Sequence, residues 1–192
     1  MYLMLLGAPG VGKGTQAERI MARYDIPQIS TGEILRAEIQ AESALGLQVK
    51  SVLDAGELVS DELILRIVAN RISQADCAHG FILDGFPRTI PQAEGLRNLL
   101  RRMGNIELNV FEIYVPEEEI MRRLLARKRA DDTRETIENR LEVYHRSTAP
   151  LISFYQKDSH YTRIDGSHSI EDVEADIDGH LKALTLPVNV VA

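Results

Sequence analysis

Short apolar runs alternate along the chain with longer stretches in which apolar residues recur every three or four positions. The first run, YLMLL at 2–6, keeps no polar position for water on either side and stops at Gly7, which predicts a strand buried on both faces. GFILD (80–84) and LNVFEIYV (108–115) read the same way, and PQIS (27–30) and YTRID (161–165) are shorter strand candidates. Helical spacing fills the intervals at 15–24, 31–42, 45–56, 61–74, 90–103, 117–129 and 170–184. Gly56 is expected to stop one of these helices, Ser60 and Thr89 to cap two others, and Pro116 to open the helix at 117. In that last helix Ile120, Met121, Leu124 and Leu125 form the expected buried stripe.

Continuous apolar strands separated by helices leave no sheet face for water. They predict an α/β fold: a doubly wound parallel sheet of about five strands with helices on both faces. With 192 residues the chain suits one domain over 1–192 with small inserted flaps. Such sheets bind ligands beyond the carboxyl ends of their strands. Residues 7–13, 84–88 and 165–168 each follow a predicted strand and are expected to meet along one edge.

Composition narrows the partners. The chain is 44% hydrophobic and 27% charged, ordinary for a globular protein. Its 22 basic residues stand against 29 acidic ones, and the net charge of −7 argues against nonspecific nucleic-acid binding. Cys77 is the only cysteine, which excludes an internal disulfide or a cysteine zinc site. The opening residues are apolar for too few positions to predict a signal peptide or membrane span, so the default location is the cytoplasm.

The stretch GAPGVGKGTQ (7–16) fits G-x-x-x-x-G-K from Gly7 to Lys13. Backbone N–H groups of such a loop wrap an anion, the helix behind it adds its positive end, and Lys13 can reach the β- and γ-phosphates of a nucleotide. Alone the pattern is short enough to be a glycine turn with an incidental lysine. A strand directly before it and a helix directly after it favour the phosphate loop. The position that usually carries a magnesium-binding hydroxyl holds Gly14, with Thr15 one residue late. The metal would then be held by phosphates, water and a carboxylate elsewhere. Asp84, at the end of an apolar strand, is the candidate, against the plainer reading of a turn cap.

Three further segments, STGEILR (30–36), DGFPRTIPQ (84–92) and RADDTRETIENRLEVYHRSTAPLI (129–152), together with GAPGVGKGTQ, closely resemble the adenylate kinases. The likeness covers nearly the whole chain in the same order, and G-x-P-G-x-G-K-G-T and D-G-F-P-R mark the nucleoside monophosphate kinase branch. The resemblance implies reversible transfer of the terminal phosphoryl group of Mg-ATP to AMP, giving two ADP. It also implies a monomer, without zinc and without a nucleic-acid or membrane partner. On the ATP side it implies Gly10, Val11, Gly12, Lys13, Gly14 and Thr15 at the phosphates, Arg123 and Arg127 facing the nucleotide, and the backbone near His168 at the adenine. On the AMP side it implies Thr31, Arg36, the backbone of Glu57, Leu58 and Val59, Gly85, Phe86, Pro87, Arg88 on the phosphate, and Gln92. Arg129 and Arg140 would reach the transferring group and AMP from a closing flap. Lys13, Arg88, Arg123, Arg129 and Arg140 form the implied catalytic set, and Asp84 holds magnesium through water. A monophosphate flap is expected over 30–59 and a short lid over 126–136.

The chemistry agrees with the resemblance. Bringing two nucleotides together concentrates negative charge, and spaced arginines can fork onto phosphate oxygens. No general base is needed, because the acceptor is already a phosphate oxygen, so positioning and charge suffice. For Arg122 and Lys128 a solvated, ion-paired helix face is the plainer expectation.

Some features depart from the family or leave a choice. Glu33 stands where many relatives carry Asp. Between Arg127 and Arg140 there is only KRADDTRETIEN, the short form without an inserted four-cysteine lid. Asp132 followed by Glu135 looks like a capping box, which leaves a turn-shaping role open for Asp131 and Asp132. Thr31 and Gln92 favour AMP, since an amide can both accept from and donate to an adenine edge. A UMP/CMP kinase with the same mechanism is the alternative, and a non-catalytic nucleotide-binding protein is the alternative of another class. The N-K-x-D motif of a guanine-reading switch is absent. For the apolar tail at 184–192, docking, contacts and a loose end all stay open.

Overall fold

The computed structural model describes residues 1–127, 133–158 and 160–185. Among them five strands form one sheet: β1 (Tyr2–Leu6), β2 (Gln28–Ser30), β3 (Phe81–Asp84), β4 (Asn109–Tyr114) and β5 (His160–Asp165). Their order is β2-β3-β1-β4-β5, and every neighbouring pair is parallel. The register sets Asp84 level with Leu5 on one side and Ser30 on the other, and Asp165 level with Tyr114. The strand ends that precede the three polar loops therefore open onto one edge.

Alternation along each strand divides the core. In β1, Leu3 and Leu5 face one apolar cluster and Met4 and Leu6 the other. In β3, Phe81 and Leu83 oppose Ile82, and in β4, Val110 opposes Phe111 and Ile113. Fully burying such a side chain is worth about 1.5–3 kcal/mol, so both faces must be covered. Helices α2 (Thr31–Gln40), α3 (Ala44–Asp54), α4 (Asp61–Ile72), α5 (Ile90–Arg102) and α8 (Pro150–Asp158) supply residues to one cluster. Helices α1 (Lys13–Tyr24), α6 (Glu117–Arg127), α7 (Arg134–Val143) and α9 (Ile170–Thr185) supply the other. The doubly wound parallel sheet predicted from the apolar runs is the observed fold.

Several local expectations are corrected. Helix α1 starts at Lys13, two residues before the predicted start, so the phosphate loop runs directly into it. Ser60 stands at the N-cap of α4 as expected, but its hydroxyl makes no capping hydrogen bond; Asp61 and Glu62 put negative charge in the first turn, where the helix dipole favours it. Thr89 does cap α5, accepting from Gln92 N. In α6 only Ile120 and Leu124 of the expected stripe are fully buried, and Leu125 is 40% exposed. The residues one position on have rotated off the face that meets the sheet. Helix α7 is capped by Thr133, which accepts from Thr136 N, rather than opened by an Asp132–Glu135 box. Asp131 and Asp132, like Lys128, Arg129 and the tail from residue 186, lie outside the described residues. Helix α8, and the π-helical turn Tyr144–Thr148 that joins α7 to it, were not predicted.

Ion pairs fasten α1 to α9. Arg19 bonds Glu171 and Glu174, Arg23 bonds Glu174 and Asp178 at 2.9 Å, and Tyr24 Oη donates to Asp178 at 2.7 Å. At the inner end of this seam Gln16 Nε2 donates to the Ile170 carbonyl at 3.0 Å. The phosphate-loop helix and the loop after β5 are thereby held side by side.

Candidate active site

Along the carboxyl edge of the sheet the loops enclose a cleft of about 630 Å³, within the range of small-molecule sites. Its first wall is the loop after β1. The N–H groups of Lys13, Gly14 and Thr15 precede the first intrahelical bond of α1, which Gln16 N donates to Gly12 O at 3.1 Å. These three donors are therefore left to whatever anion sits at the helix end. Gly7 has φ 141°, and a Cβ there would lie 2.4 Å from the Ile113 carbonyl oxygen, so the loop leaves the sheet only with glycine at that point. Lys13 Nζ donates to the carbonyls of Gly7 and Ala8, both at 2.8 Å.

Desolvation pushes the pKa of Lys13 down to about 8, with Arg88 and Arg127 adding to the fall and Asp84 opposing it. A polyphosphate at this loop, as the resemblance implies, would stabilise the charged ammonium and raise that pKa. Well below pH 8 the free lysine is already protonated, so affinity for such an anion is then insensitive to this group. Above pH 8 binding takes up a proton and weakens as pH rises, by up to about tenfold per unit. Isothermal titration at pH 7 to 9.5, in buffers of different ionisation enthalpy, measures that uptake; an affinity flat across the range would contradict it.

Asp84 forms the floor. It is 8% exposed, and Gln28 Nε2 donates to its Oδ2 at 3.0 Å. A Cβ on Gly14 would stand 3.7 Å from that same oxygen. The residue that replaces the usual hydroxyl thus faces the carboxylate expected to hold the metal. Gln28 was not foreseen, because its partner is 56 positions away.

The second wall is the loop after β3. Gly85 (φ 73°) bends the chain so that its carbonyl accepts from Thr31 Oγ1 at 3.0 Å and Arg88 Nε at 2.8 Å. A Cβ at Gly85 would come within 3.2 Å of Arg88 Nη2, so glycine makes room for the guanidinium. Thr148 Oγ1 donates to the Arg88 carbonyl at 2.9 Å, which ties the loop to the unpredicted π-helical turn. Desolvation and the like charges of Arg140 and Arg36 press the pKa of Arg88 downward, while Asp84 opposes them. Phe86 is 1% exposed and belongs to the core, so it offers the cleft its backbone. Gln92 is 2% exposed; its Oε1 accepts from Arg88 N and its Nε2 donates to Asp61.

The far side carries the remaining cations. Arg123 Nε donates to Glu119 Oε1 at 2.7 Å and its Nη2 to the Gly166 carbonyl at 3.1 Å, so it is aimed from two sides. Arg122 pairs with the same glutamate and is largely exposed, as expected of a solvated position. Hydrogen bonds from Arg122 and Arg123 hold the Glu119 carboxyl well below its ordinary range, at about 2. Arg36, Arg127, Arg140 and the backbone segment Glu57, Leu58 and Val59 line the same cleft, and so does His168, whose ring is 3.6 Å from Asp165. Ser30 caps α2 by accepting from Glu33 N, which places Glu33 at the cleft rim. Every residue expected at the nucleotide sites therefore borders this one cavity except Arg129, which lies outside the described residues. Asp61, Thr148 and Gln28 are the supporting residues that the sequence did not single out. Glu119 was readable in principle, four positions before Arg123 on a helix.

Similarity to known proteins points the same way. A family model described as adenylate kinase matches residues 5–160. Two relatives named adenylate kinase come from Leptospira biflexa serovar Patoc, strains Patoc 1 / Ames and Patoc 1 / ATCC 23582 / Paris. Each is 47% identical over 176 residues, spanning 89% of this chain and 94% of its own length.

Proposed function

The chain belongs to the adenylate kinase family, and on that premise we propose how its residues divide the work. It is a phosphotransferase. The bond between the γ-phosphorus of ATP and its bridging oxygen breaks, a bond to a phosphate oxygen of AMP forms, and two ADP result. No proton has to be removed from the acceptor, so the protein supplies position, charge and exclusion of water. The observation that carries this reading is the meeting of two cationic loops, one at Lys13 and one at Arg88, in a single cleft.

The helix-end N–H groups from Lys13 to Thr15, with Gly10, Val11 and Gly12, cradle the ATP phosphates, and Lys13 exchanges its own loop carbonyls for phosphate oxygens. Arg123, fixed by Glu119 and Gly166, and Arg127 face ATP, Arg127 or its neighbour lying against the adenine that the backbone at His168 also meets. Arg88 and Arg36 take the AMP phosphate. Thr31, the 57–59 backbone, Gly85 to Pro87 and Gln92 hold the nucleoside. Arg140 and Arg129 stabilise the charge that spreads over the transferring group. The segments 30–59 and 126–136 serve as acceptor flap and short lid. The enzyme acts as a monomer on free nucleotides in the cytoplasm.

The donor set fits magnesium that arrives with ATP. Among the described residues no three His, Cys, Asp or Glu side chains gather as a cage, and magnesium keeps several waters while binding one or two carboxylates and phosphates. Asp84, oriented by Gln28 at the loop, would hold it through water. Held there, the ion would supply positive charge to the phosphates of ATP. Asp84→Asn keeps an acceptor for Gln28 but removes the charge. It is expected to raise the magnesium concentration for half-maximal activity about tenfold with little change in KM for AMP. Magnesium titration of the variant checks this, and an unshifted curve would count against Asp84.

A panel of AMP, UMP, CMP and GMP with Mg-ATP, read by ADP formation, tests the substrate assignment. AMP is expected to lead. Preference for UMP or CMP would move the chain to that branch, and no turnover with any of them would leave a binding protein.

A further inference from the structure

The side-chain amide of Gln92 is held at both ends. Its Oε1 accepts from the Arg88 backbone N–H at 2.7 Å, and its Nε2 donates to Asp61 Oδ1 at 2.8 Å. The same carboxylate oxygen accepts from Thr89 Oγ1 at 2.9 Å, and Thr89 Oγ1 accepts from Gln92 N at 3.2 Å. An amide turned end for end changes little in shape but reverses its pattern of donor and acceptor. Turning Gln92 would set its NH₂ against a backbone N–H and its oxygen against a carboxylate. Arg88 N can only donate, and an ionised Asp61 can only accept. Partner chemistry therefore fixes the orientation. Each end keeps one unused position, a lone pair on Oε1 and an N–H on Nε2.

Purines differ in this same sense. Adenine presents a six-amino donor beside the N1 acceptor; guanine presents the O6 acceptor beside the N1–H donor. An amide held as Gln92 is held complements the adenine edge through Oε1 and Nε2. Turned over, it complements guanine. We propose that Asp61 is a specificity-determining positioning residue, which holds the Gln92 amide in the orientation that reads adenine in the acceptor nucleotide and excludes the one that reads guanine. The inference rests on the proposed role of Gln92 as the base contact. Asp61 acts through Gln92 from the start of α4, 31 positions earlier in the chain.

Asp61→Asn tests it, because asparagine keeps the shape and can donate as well as accept. Asp61→Ser, with a hydroxyl that can do both, guards against an accident of one variant. Thermal melts establish that each is folded. The expected result is a rise of several-fold in KM for AMP and about a tenfold rise in the ratio of kcat/KM for GMP over AMP, with KM for Mg-ATP unchanged. Gln92→Leu is the companion: it should raise KM for AMP with no gain for GMP. A merely structural Asp61 would slow AMP and GMP alike. An unmoved GMP-to-AMP ratio in both Asp61 variants, with Gln92→Leu still impaired toward AMP, overturns the orienting role alone. Unimpaired AMP use by Gln92→Leu overturns the base contact, and the role of Asp61 falls with it.

Discussion

Replacing Lys13 by alanine is expected to lower kcat/KM for Mg-ATP by about a thousandfold while the protein stays folded. The loop N–H groups from Lys13 to Thr15 survive the change, so part of the phosphate cradle remains. What disappears is the charged group that can follow the γ-phosphate as its bond to ADP weakens. A donor placed in a desolvated site is worth far more there than in water, because no solvent screens it. Desolvation already disfavours the ammonium in the folded protein, so its loss relieves that cost and offsets the two hydrogen bonds to Gly7 and Ala8. Activity and melting temperature should therefore part company, with a large fall in the first and a small shift in the second. Coupled ADP-formation kinetics measures the activity. A variant that matched the parent would sink the catalytic reading.

Arg88→Ala is expected to be the most damaging change on the acceptor side, raising KM for AMP about a hundredfold and lowering kcat with it. Desolvation lowers the pKa of Arg88, Asp84 opposes it, and the like charges of Arg140 and Arg36 lower it further. Such like charges gather at a cost that one shared anion removes. The loop is built around the Arg88 fork: Gly85 gives it space, the Gly85 carbonyl orients Nε, and Thr148 holds the backbone behind it. Arg88→Lys should recover little, since lysine's single Nζ cannot both donate to the Gly85 carbonyl as Arg88 Nε does and present the two parallel donors of a guanidinium. Titration with ATP alone should give nearly the wild-type affinity for both variants. A matching loss on the ATP side would mean that the cleft had collapsed and that the damage was structural.

The sheet was legible because its signal is local. YLMLL and GFILD cannot be half-wet strands, and the loops at their ends carry the phosphate chemistry in consecutive residues. The helix caps were legible where one hydroxyl serves one N–H, as at Thr89. At α4 the expected Ser60 holds the N-cap position without a side-chain bond, and at α7 the cap falls on Thr133, where the next hydroxyl was equally suitable. The stretch from Tyr144 to Asp158 gave no element prediction: the motif RADDTRETIENRLEVYHRSTAPLI that overlaps it carries the family likeness rather than an apolar period. In the fold Pro150 opens α8, where its missing N–H costs nothing. Most of the cleft-lining arginines came from motif resemblance, and the structure gathers the described ones around one cavity. The residues that hold them could not be read. Gln28 with Asp84, and Asp61 with Gln92, are pairs that only the fold brings together.

The alternation of side chains along β1, β3 and β4 makes the sheet a partition. Beneath the acceptor side lies one apolar compartment, fed by α2 to α5 and α8; behind the phosphate loop lies another, fed by α1, α6, α7 and α9. A methylene added or removed in one compartment reaches the other chiefly through the strand backbone that divides them. Sites that share no partner add in their effects. On the proposed division of the cleft, the acceptor half can thus be repacked around a different nucleotide while the donor half keeps its fit to ATP.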